Sequence, residues 1–267
     1  EAKALGGTCV NAGCVPKKLF TYAAGYADDF ADAVGFGWDR VQPGFSWAKL
    51  IAAKDAEIAR LNGVYERVLK KAGVEIIPAR AELMGVQKVA AAGRTFTARN
   101  VLIATGGAPL RPDIPGAELG FTSDEAFHLP QLPRRLLILG GGYVAVEFAS
   151  IFAALGVAVT LAHRGARLLK GFDSELVTLL TEAMRARGIK ILRAEPASIA
   201  RSGGELVAVC ADRELRADSV FFATGRMPRT GALGLARVGV NCAANGAIIV
   251  DAELRADRPG GALPGLK

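Results

Sequence analysis

Apolar and polar positions in the first part of the chain predict one long helix and several strands. Between residues 45 and 73 the apolar residues recur three and four positions apart, with Ser46 placed to cap the first turn and Gly73 placed beyond the last. This spacing predicts a single amphipathic helix. Two apolar runs, 74–77 and 101–104, are typical of strands, and the second is typical of a buried strand in a parallel sheet.

A different pattern, in which strands and helices alternate, begins after a proline-rich segment. The prolines between residues 109 and 133 predict a linker and a domain boundary near residue 107. Apolar strands at 136–139 and 157–162 flank a helical segment at 140–155. This order predicts a compact βαβ unit.

The alternation continues through the second half of the chain. Asp173 is placed to cap another helix and Gly188 to stop it, and strands follow. The run at 220–223 leads into Thr-Gly, as the run at 101–104 does. The repeated Ala-Thr-Gly ending indicates two related nucleotide-binding units, so the predicted fold class is α/β.

Composition limits the class of protein. The chain has 267 residues, 51% of them hydrophobic and 22% charged, which is enough apolar material for a large core and excludes a disordered chain. Four cysteines are too few for a disulfide-stapled secreted domain and predict a reducing compartment, the cytoplasm. No run approaches the ~18 apolar residues of a membrane span, so we predict a soluble protein without a membrane partner.

The charge of the chain fits an anionic small molecule. There are 33 Lys and Arg residues against 26 Asp and Glu, a formal net charge of +7. The basic residues are scattered among acidic ones, and no surface that combines aromatic and basic residues can be discerned. We therefore predict no nucleic-acid partner.

A glycine-rich loop indicates a dinucleotide site. Gly140, Gly142 and Ala145 fit the pattern G-x-G-x-x-A directly after a predicted strand, with Tyr143 and Val144 at its variable positions. The first glycine permits a tight turn, the second lets a pyrophosphate approach the backbone, and the alanine lets helix and strand pack closely. The helix N-terminus would supply N–H donors. A plain turn is the alternative.

The end of the following strand favours NADPH over NADH. An acidic residue there bonds a free ribose 2′-hydroxyl, whereas basic residues receive a 2′-phosphate. Here the strand ends in His163 and Arg164, Lys170 follows, and no carboxylate occurs before Asp173. We predict Arg164 and Lys170 as the phosphate partners; solvated surface charges are the alternative.

Cys9 and Cys14 form the strongest local motif. Four residues separate the two thiols and lysines follow closely, which suits a dithiol that cycles to a disulfide. A buried structural pair is the alternative. A zinc site is not favoured because Cys210 and Cys242 are isolated, so we predict no metal and structural roles for those two cysteines.

Together, these segments resemble the flavin-dependent pyridine nucleotide–disulfide oxidoreductases, and within that family the glutathione reductases. The resemblance extends from Glu1 to about Arg255. It is carried by Gly-Gly-Thr-Cys-Val-Asn-Ala-Gly-Cys-Val-Pro-Lys-Lys from Gly6, by both Ala-Thr-Gly strands, by Gly-Gly-Gly-Tyr-Val-Ala-Val-Glu from Gly140, and by Ala-Thr-Gly-Arg-Met-Pro-Arg-Thr from Ala223. Pro-Lys-Lys after the second cysteine is similar to glutathione, trypanothione and large thioredoxin reductases.

The resemblance implies that NADPH reduces FAD and that the flavin reduces a Cys9–Cys14 disulfide. Cys9 is then the interchange thiol that attacks an external disulfide, and Cys14 the charge-transfer thiol beside the flavin. Lys17 pairs with Glu147 beside the flavin ring, and Tyr143 covers the nicotinamide pocket. The resemblance assigns further cofactor contacts to Glu1, Gly7, Thr8, Thr105, Gly106, Gly225 and Arg226, and a contact with bound glutathione disulfide to Tyr65.

The resemblance also implies two Rossmann-like, three-layer FAD/NAD(P)-binding domains, with the NADPH domain inserted in an incomplete FAD domain. Residues 1–106 are expected to form a partial FAD domain with the redox-active disulfide, 107–228 the NADPH domain, and 229–267 a truncated return to the FAD domain. The family's first flavin-binding loop, its later Gly-Asp segment and its interface domain have no counterpart. Neither His128 nor His163 takes the place of the acid–base histidine that the family carries in that domain.

The expected function is NADPH-dependent reduction of glutathione disulfide. The chain is expected to be a fragment of a family whose full-length members are homodimers, to bind NADPH, and to retain FAD poorly with little turnover by itself. Alternative acceptors are trypanothione disulfide and thioredoxin. The alternative from another class is a non-catalytic NADPH-binding remnant, in which the cysteine pair is a relic.

Overall fold

The computed structural model describes residues 1–41 and 43–256, and these contain the helices α1 (Gly7–Ala12), α2 (Cys14–Asp32), α3 (Trp47–Lys71), α4 (Ser123–Ala126), α5 (Tyr143–Ala154) and α6 (Ser174–Ala186). The long helix predicted between residues 45 and 73 is confirmed as α3: Ser46 Oγ accepts the Lys49 N–H at 3.4 Å, and Gly73, with φ +75°, follows its end. The hydrophobic pattern did not predict α2. No helix in the described part of the chain is long and apolar enough to cross a membrane.

The strands are β1 (Ala81–Gly85), β2 (Lys88–Ala91), β3 (Arg94–Thr97), β4 (Gly107–Pro109), β5 (Phe121–Thr122), β6 (Arg135–Leu139), β7 (Ala158–His163), β8 (Lys190–Arg193), β9 (Pro196–Ser202), β10 (Glu205–Cys210), β11 (Glu214–Ala217), β12 (Ser219–Phe222) and β13 (Arg226–Pro228). The predicted βαβ unit is confirmed as β6, α5 and β7. The predicted linker between residues 109 and 133 is wrong in part, because it contains β5 and α4. Phe121 of β5 stacks on Phe221, with ring centroids 5.2 Å apart, and this contact favours pairing at the sheet edge.

The chain divides into two units. Unit 1 contains Glu1–Thr8, Arg60–Ala108 and the chain from Arg226 onward, and unit 2 contains Cys9–Ala59 and Pro109–Gly225. Two of the divisions fall close to the boundaries expected from the sequence, but the inclusion of Cys9–Ala59 in unit 2 was not predicted. The assignment of FAD and NADPH to separate domains stays a prediction. Residues 257–267, the end of the third expected segment, lie outside the described residues.

A parallel five-stranded sheet, in the order β5-β12-β6-β7-β8, forms the middle layer of unit 2. Because successive strand residues point to opposite faces, Leu136 and Ile138 of β6 join one core cluster with α5, whereas Leu137 and Leu139 join another with β9–β11. The third layer is the antiparallel sheet β11-β10-β9. The predicted Rossmann-like α/β class with three layers is confirmed.

Aromatic packing explains why Cys9–Ala59 belongs to unit 2. The rings of Phe20 in α2 and Trp47 in α3 lie 5.0 Å apart, and Trp47 lies 6.2 Å from Phe152 in α5. Trp47 Nε1 also donates a hydrogen bond to Leu129 O at 2.7 Å. Burial of each large apolar side chain stabilises the fold by about 1.5–3 kcal/mol, so these contacts hold α2 against α5.

Unit 1 is built on the antiparallel sheet β1-β2-β3, with a small core around Leu83, Leu235 and Val238. β4 pairs with β13, and all their residues except Pro109 belong to this unit. The strands predicted at 74–77 and 101–104 are wrong. A strand needs a neighbour for its backbone hydrogen bonds, and neither segment belongs to a sheet within the described residues.

Candidate functional site

The glycine-rich loop lies between the end of β6 and the start of α5. Gly142 is the N-cap residue of α5, and as a glycine it offers no side chain to cap this helix. The N–H groups of its first turn are therefore directed toward any ligand at the loop, and the helix dipole adds partial positive charge there. The Gly140 N–H donates to Ala162 O at 2.9 Å, which holds the loop against the end of β7.

The two glycines of the motif are required for different reasons. Gly140 has φ +141°, and a Cβ there would lie 2.2 Å from Ala223 O, so a side chain does not fit. A Cβ on Gly142 would meet no atom within 4 Å, which leaves open space over the start of the helix. Ala145 is completely buried beneath the loop. This open cradle of backbone N–H groups fits the pyrophosphate of a dinucleotide.

A cavity of about 550 Å³ opens beside the loop within unit 2. Tyr143 and Gly225 line it, as do Arg164 and Lys170, the residues predicted to hold a 2′-phosphate. Arg167 lines it as well, a residue that the sequence reasoning missed although it lies between the two predicted ones. Three basic side chains in one cavity suit a ligand with more than one phosphate group.

His163 lies beside the glycine-rich loop and is buried. A Cβ on Gly141 would approach His163 Cβ to 3.2 Å, and His163 Nδ1 has no hydrogen-bond partner among the described residues. Burial, together with the positive charges of Arg193 and Arg185, lowers the pKa of His163. The imidazole is therefore neutral at pH 7, and the positive charge of the cavity comes from its arginines and lysine.

One carboxylate also lines the cavity, and sequence reasoning did not single it out. Glu195 follows β8, the strand next to β7, and the Ala194 N–H donates to His163 O at 3.1 Å. Arg164 Nη1 donates to Glu195 Oε1 at 3.5 Å. An acid that follows β7 in the chain would form a local sequence pattern, whereas this acid follows the neighbouring strand β8.

Cys9 lies in α1 and Cys14 is the first residue of α2, at the positive end of that helix dipole. Both thiols are free and exposed in this structure. A hydrogen bond with Cys14 raises the pKa of Cys9, and partial burial raises it further. The two thiols therefore interact with each other, as a dithiol that closes to a disulfide requires.

An ion pair connects the helix of the thiol with the helix of the glycine-rich loop. Lys17 Nζ donates to Glu147 Oε1 at 2.7 Å, and both side chains are about two-thirds or more shielded from solvent. Lys17 lies one turn after Cys14 on α2, and Glu147 lies one turn after Tyr143 on α5. The structure thus brings together the pair that the resemblance implied.

Four further predicted cofactor contacts lie in unit 1 as two Thr–Gly pairs, in which each threonine adjoins a glycine of left-handed conformation. Gly7 has φ +61° and Gly106 has φ +70°, and a Cβ on either would meet no atom within 4 Å. Thr8 and Thr105 are exposed beside them. At each position taken separately, the open backbone fits the approach of a cofactor; their roles stay predictions.

The other predicted residues of unit 1 lie on separate elements. Glu1 Oε1 accepts the Lys3 N–H at 3.1 Å. Arg226 Nη2 donates to Gly107 O at 2.7 Å. Tyr65 lies on α3 with 42% of its surface exposed. Cofactor and substrate contacts at these three positions stay predictions.

Comparison with known proteins gives matches to one family of disulfide reductases. The sequence matches the family described as Pyridine nucleotide-disulphide oxidoreductase over residues 2–260. A glutathione reductase of Burkholderia cepacia is 47% identical over 262 residues, which cover 97% of this chain and 58% of that protein. A trypanothione reductase of Trypanosoma congolense is 40% identical, with coverage of 96% and 56%. The chain thus spans a little over half the length of these relatives.

A solved structure shows the same fold. The Cu(II) complex of HOCl-induced flavoprotein disulfide reductase RclA from Escherichia coli matches with a TM-score of 0.84 and 26% identity. The match covers 97% of this chain and 57% of that one.

Proposed function

Because the chain belongs to the pyridine nucleotide-disulphide oxidoreductase family, we propose that it takes part in the NADPH-dependent reduction of glutathione disulfide. In this reaction two electrons pass from NADPH to the disulfide, which takes up protons and becomes two molecules of glutathione. The proposed cofactors are NADPH and FAD. Reduction of the Cys9–Cys14 disulfide precedes reduction of the external one.

The observation that carries this proposal is the Lys17–Glu147 hydrogen bond at 2.7 Å. It joins the helix that begins at Cys14 to the helix that begins at the glycine-rich loop. A nucleotide loop and a cysteine pair on unconnected parts of a protein would have no chemical relation. Here one charged contact holds them within the same unit, which supports an electron path from nucleotide to dithiol.

The dithiol chemistry is a pair of thiol–disulfide exchanges. Cys9 Sγ attacks one sulfur of glutathione disulfide, forms a mixed disulfide and releases one glutathione thiolate, which takes up a proton. Cys14 Sγ then attacks Cys9 Sγ, re-forms the internal disulfide and releases the second glutathione. The raised pKa of Cys9 keeps a proton on that thiol while the pair is reduced. A base must therefore take this proton before the first exchange.

The residues fit the two cofactors in separate places. The N–H groups at the start of α5 and the open face of Gly142 would hold the pyrophosphate of NADPH, and Arg164 and Lys170 its 2′-phosphate. Lys17 and Glu147 would adjoin the flavin ring. When bound, NADPH supplies a hydride, and FAD passes the two electrons to the disulfide. The ion pair holds the two helices together, and its charges would lie beside the flavin ring.

The proposed acceptor follows from the relatives that the chain resembles. The most similar relative named above is a glutathione reductase, at 47% identity, and a trypanothione reductase follows at 40%. We favour glutathione disulfide on this basis, with Tyr65 as its proposed contact and trypanothione disulfide as the second candidate. We also propose the cytoplasm as its location, because a dithiol cycle operates where thiols are kept reduced. Homodimer formation remains a prediction from the resemblance.

The test separates nucleotide binding from electron transfer. The chain is purified with added FAD, and NADPH binding is measured by calorimetry. The oxidised protein is then treated anaerobically with NADPH, and new thiols are alkylated and located by mass spectrometry. With FAD kept in excess, we expect two new thiols, at Cys9 and Cys14, in a single reduction. Because the chain is expected to turn over little by itself, NADPH oxidation should be slow with every acceptor and fastest with glutathione disulfide, ahead of trypanothione disulfide and thioredoxin.

Matched variants identify the residues responsible. Cys9→Ser should abolish reduction of the acceptor and leave NADPH affinity unchanged, and Cys242→Ser should change neither. Glu147→Gln should slow reduction of the internal disulfide at unchanged NADPH affinity. A protein that binds NADPH but never yields the two thiols would contradict the reductase proposal and support the non-catalytic alternative.

A further inference from the structure

We infer that Glu195 sets how strongly the cavity distinguishes NADPH from NADH, because its carboxylate competes with a 2′-phosphate for Arg164. Glu195 is then a specificity-determining residue of the site, and it weakens the preference for NADPH. The inference rests on the proposed function, since it takes the cavity beside the glycine-rich loop to be the nucleotide site.

The position of Glu195 is set by the sheet. β7 and β8 are parallel neighbours, so their carboxyl ends lie side by side. The hydrogen bond from Ala194 N–H to His163 O, at 3.1 Å, keeps the segment after β8 against the end of β7. Glu195 and Arg164 follow these two residues, line the same cavity and contact each other at 3.5 Å. The ion pair therefore lies in the place predicted to receive the 2′-phosphate.

The two nucleotides make opposite demands on this pair. A 2′-phosphate needs the guanidinium of Arg164, so the contact with Glu195 must be broken or shared, and the carboxylate then faces a second anion. A free 2′-hydroxyl is neutral and can donate a hydrogen bond to the carboxylate while Arg164 stays paired. Glu195 thus performs the role of the acidic residue that NAD-specific sites carry at the end of β7.

The remaining charges of the cavity set the direction of the preference. Arg164, Arg167 and Lys170 favour the phosphate, and Glu195 is the acidic residue among those that line the cavity. The imidazole of His163 is neutral and adds no charge. The cavity is therefore predicted to prefer NADPH, but less strongly than its three basic residues would alone.

The exposure of Arg164 and Glu195 limits how strongly their interaction changes nucleotide affinity. The side chains of Arg164 and Glu195 are 81% and 63% exposed, so water and salt screen their interaction. Removal of the carboxylate charge is expected to raise the ratio of NADPH affinity to NADH affinity by about twofold to fivefold at low salt. Most of this change should be tighter binding of NADPH.

The experiment compares Glu195→Gln with Glu182→Gln. Both variants remove one negative charge, but Glu182 lies on α6 and does not line the cavity. Dissociation constants for NADPH and NADH are measured by calorimetry on the full chain at about 0.02 M and about 0.5 M salt. The same titrations with adenosine 2′,5′-bisphosphate and 5′-AMP isolate the adenosine end of the ligand.

The supporting result is a higher NADPH-to-NADH affinity ratio in Glu195→Gln alone, repeated with the two adenosine ligands and reduced at high salt. An unchanged ratio, or the same change in Glu182→Gln, overturns the inference and leaves the proposed function intact. Absence of NADPH binding by the parent chain overturns both. Circular dichroism verifies folding, and Glu195→Ala serves as a second variant with the same expected direction.

Discussion

Residues 220–225 and 101–106 have the same pattern, an apolar run that ends in Ala-Thr-Gly, yet they adopt different structures. The first contains β12, which pairs with β5 on one side and β6 on the other. The second belongs to no sheet within the described part of the chain. Phe221 is completely buried, whereas Leu102 is 89% exposed.

The difference shows that an apolar run becomes a buried strand only where neighbouring strands are present. In unit 2, β12 receives backbone partners on both edges and a packed layer on each face. In unit 1, the core involves the small group around Leu83, Leu235 and Val238. Local sequence was therefore equivalent in the two segments, and the surrounding structure decided the outcome.

The largest expected effect tests this difference directly. Phe221→Ala removes a ring that packs 5.2 Å from Phe121 and 5.0 Å from Phe148, and we expect a loss of about 3–5 kcal/mol in the free energy of unfolding. Leu102→Ala should change it by less than about 0.5 kcal/mol, because the side chain is already in water. Urea unfolding of both variants gives the two values. Equal losses of stability in the two variants would show that the two segments do not differ in burial.

The glycine-rich loop provides a second test, in which stability and binding separate. Gly140→Ala should cost about 2 kcal/mol or more, because the new Cβ would meet Ala223 O in a conformation of positive φ. Gly142 has φ −87°, and a Cβ there would lie in open space, so the Gly142→Ala variant should be as stable as the parent. NADPH affinity should still fall by about tenfold or more, because the methyl group blocks the phosphate.

Thermal unfolding and calorimetric titration measure the two quantities for this pair. If Gly142→Ala binds NADPH as tightly as the parent, the loop does not contact the phosphates, and the proposed site is wrong.

A smaller effect concerns the pH dependence of the protein's stability. Asp218 accepts the Arg135 N–H at 2.9 Å, and its ion pair with the Arg135 guanidinium lowers the pKa of this carboxyl. Its stabilising contribution is complete above about pH 5 and is lost as the pH falls below about 3.9 through the folded-state pKa. This one proton changes the free energy of unfolding by at most about 1.4 kcal/mol per pH unit.

Asp218→Asn should therefore lie below the parent in stability by a constant amount at neutral pH, and the two curves should converge in acid. Glu75→Gln in unit 1 is the control, because its partner Arg94 and Glu75 itself are each more than 60% exposed. Denaturant unfolding at a series of pH values measures all three proteins. Parallel curves for the parent and Asp218→Asn down to pH 3 would exclude this contribution.

The smallest expected change is at Cys9. Because the hydrogen bond with Cys14 raises the pKa of Cys9, Cys14→Ala should lower that pKa toward its ordinary value and speed alkylation of Cys9 severalfold at pH 8. The rate at the exposed Cys242, read in the same mass spectrum, is the internal control. An unchanged Cys9 rate would show that the two thiols do not interact.

Sequence patterns predicted the elements whose signals are local. Asp173 was predicted to cap α6, and its Oδ1 accepts the N–H groups of Glu175 and Leu176 at 2.9 and 3.1 Å. The glycine-rich loop was predicted for the same reason, since a tight turn and a helix start need particular residues at fixed positions. Helix α2 was missed because its burial depends on Phe20 meeting Trp47 and Phe127, residues distant in sequence.

By itself, the sequence determined the family, the α/β class, the cysteine pair and the glycine-rich loop, because each depends on residue types at short, fixed spacings. Tertiary structure decided which apolar runs became strands, that Cys9–Ala59 joins unit 2, and that Glu195 lies against Arg164. These outcomes depend on contacts between residues far apart in the chain. Their energies arise from burial and charge in three dimensions, which no local pattern specifies.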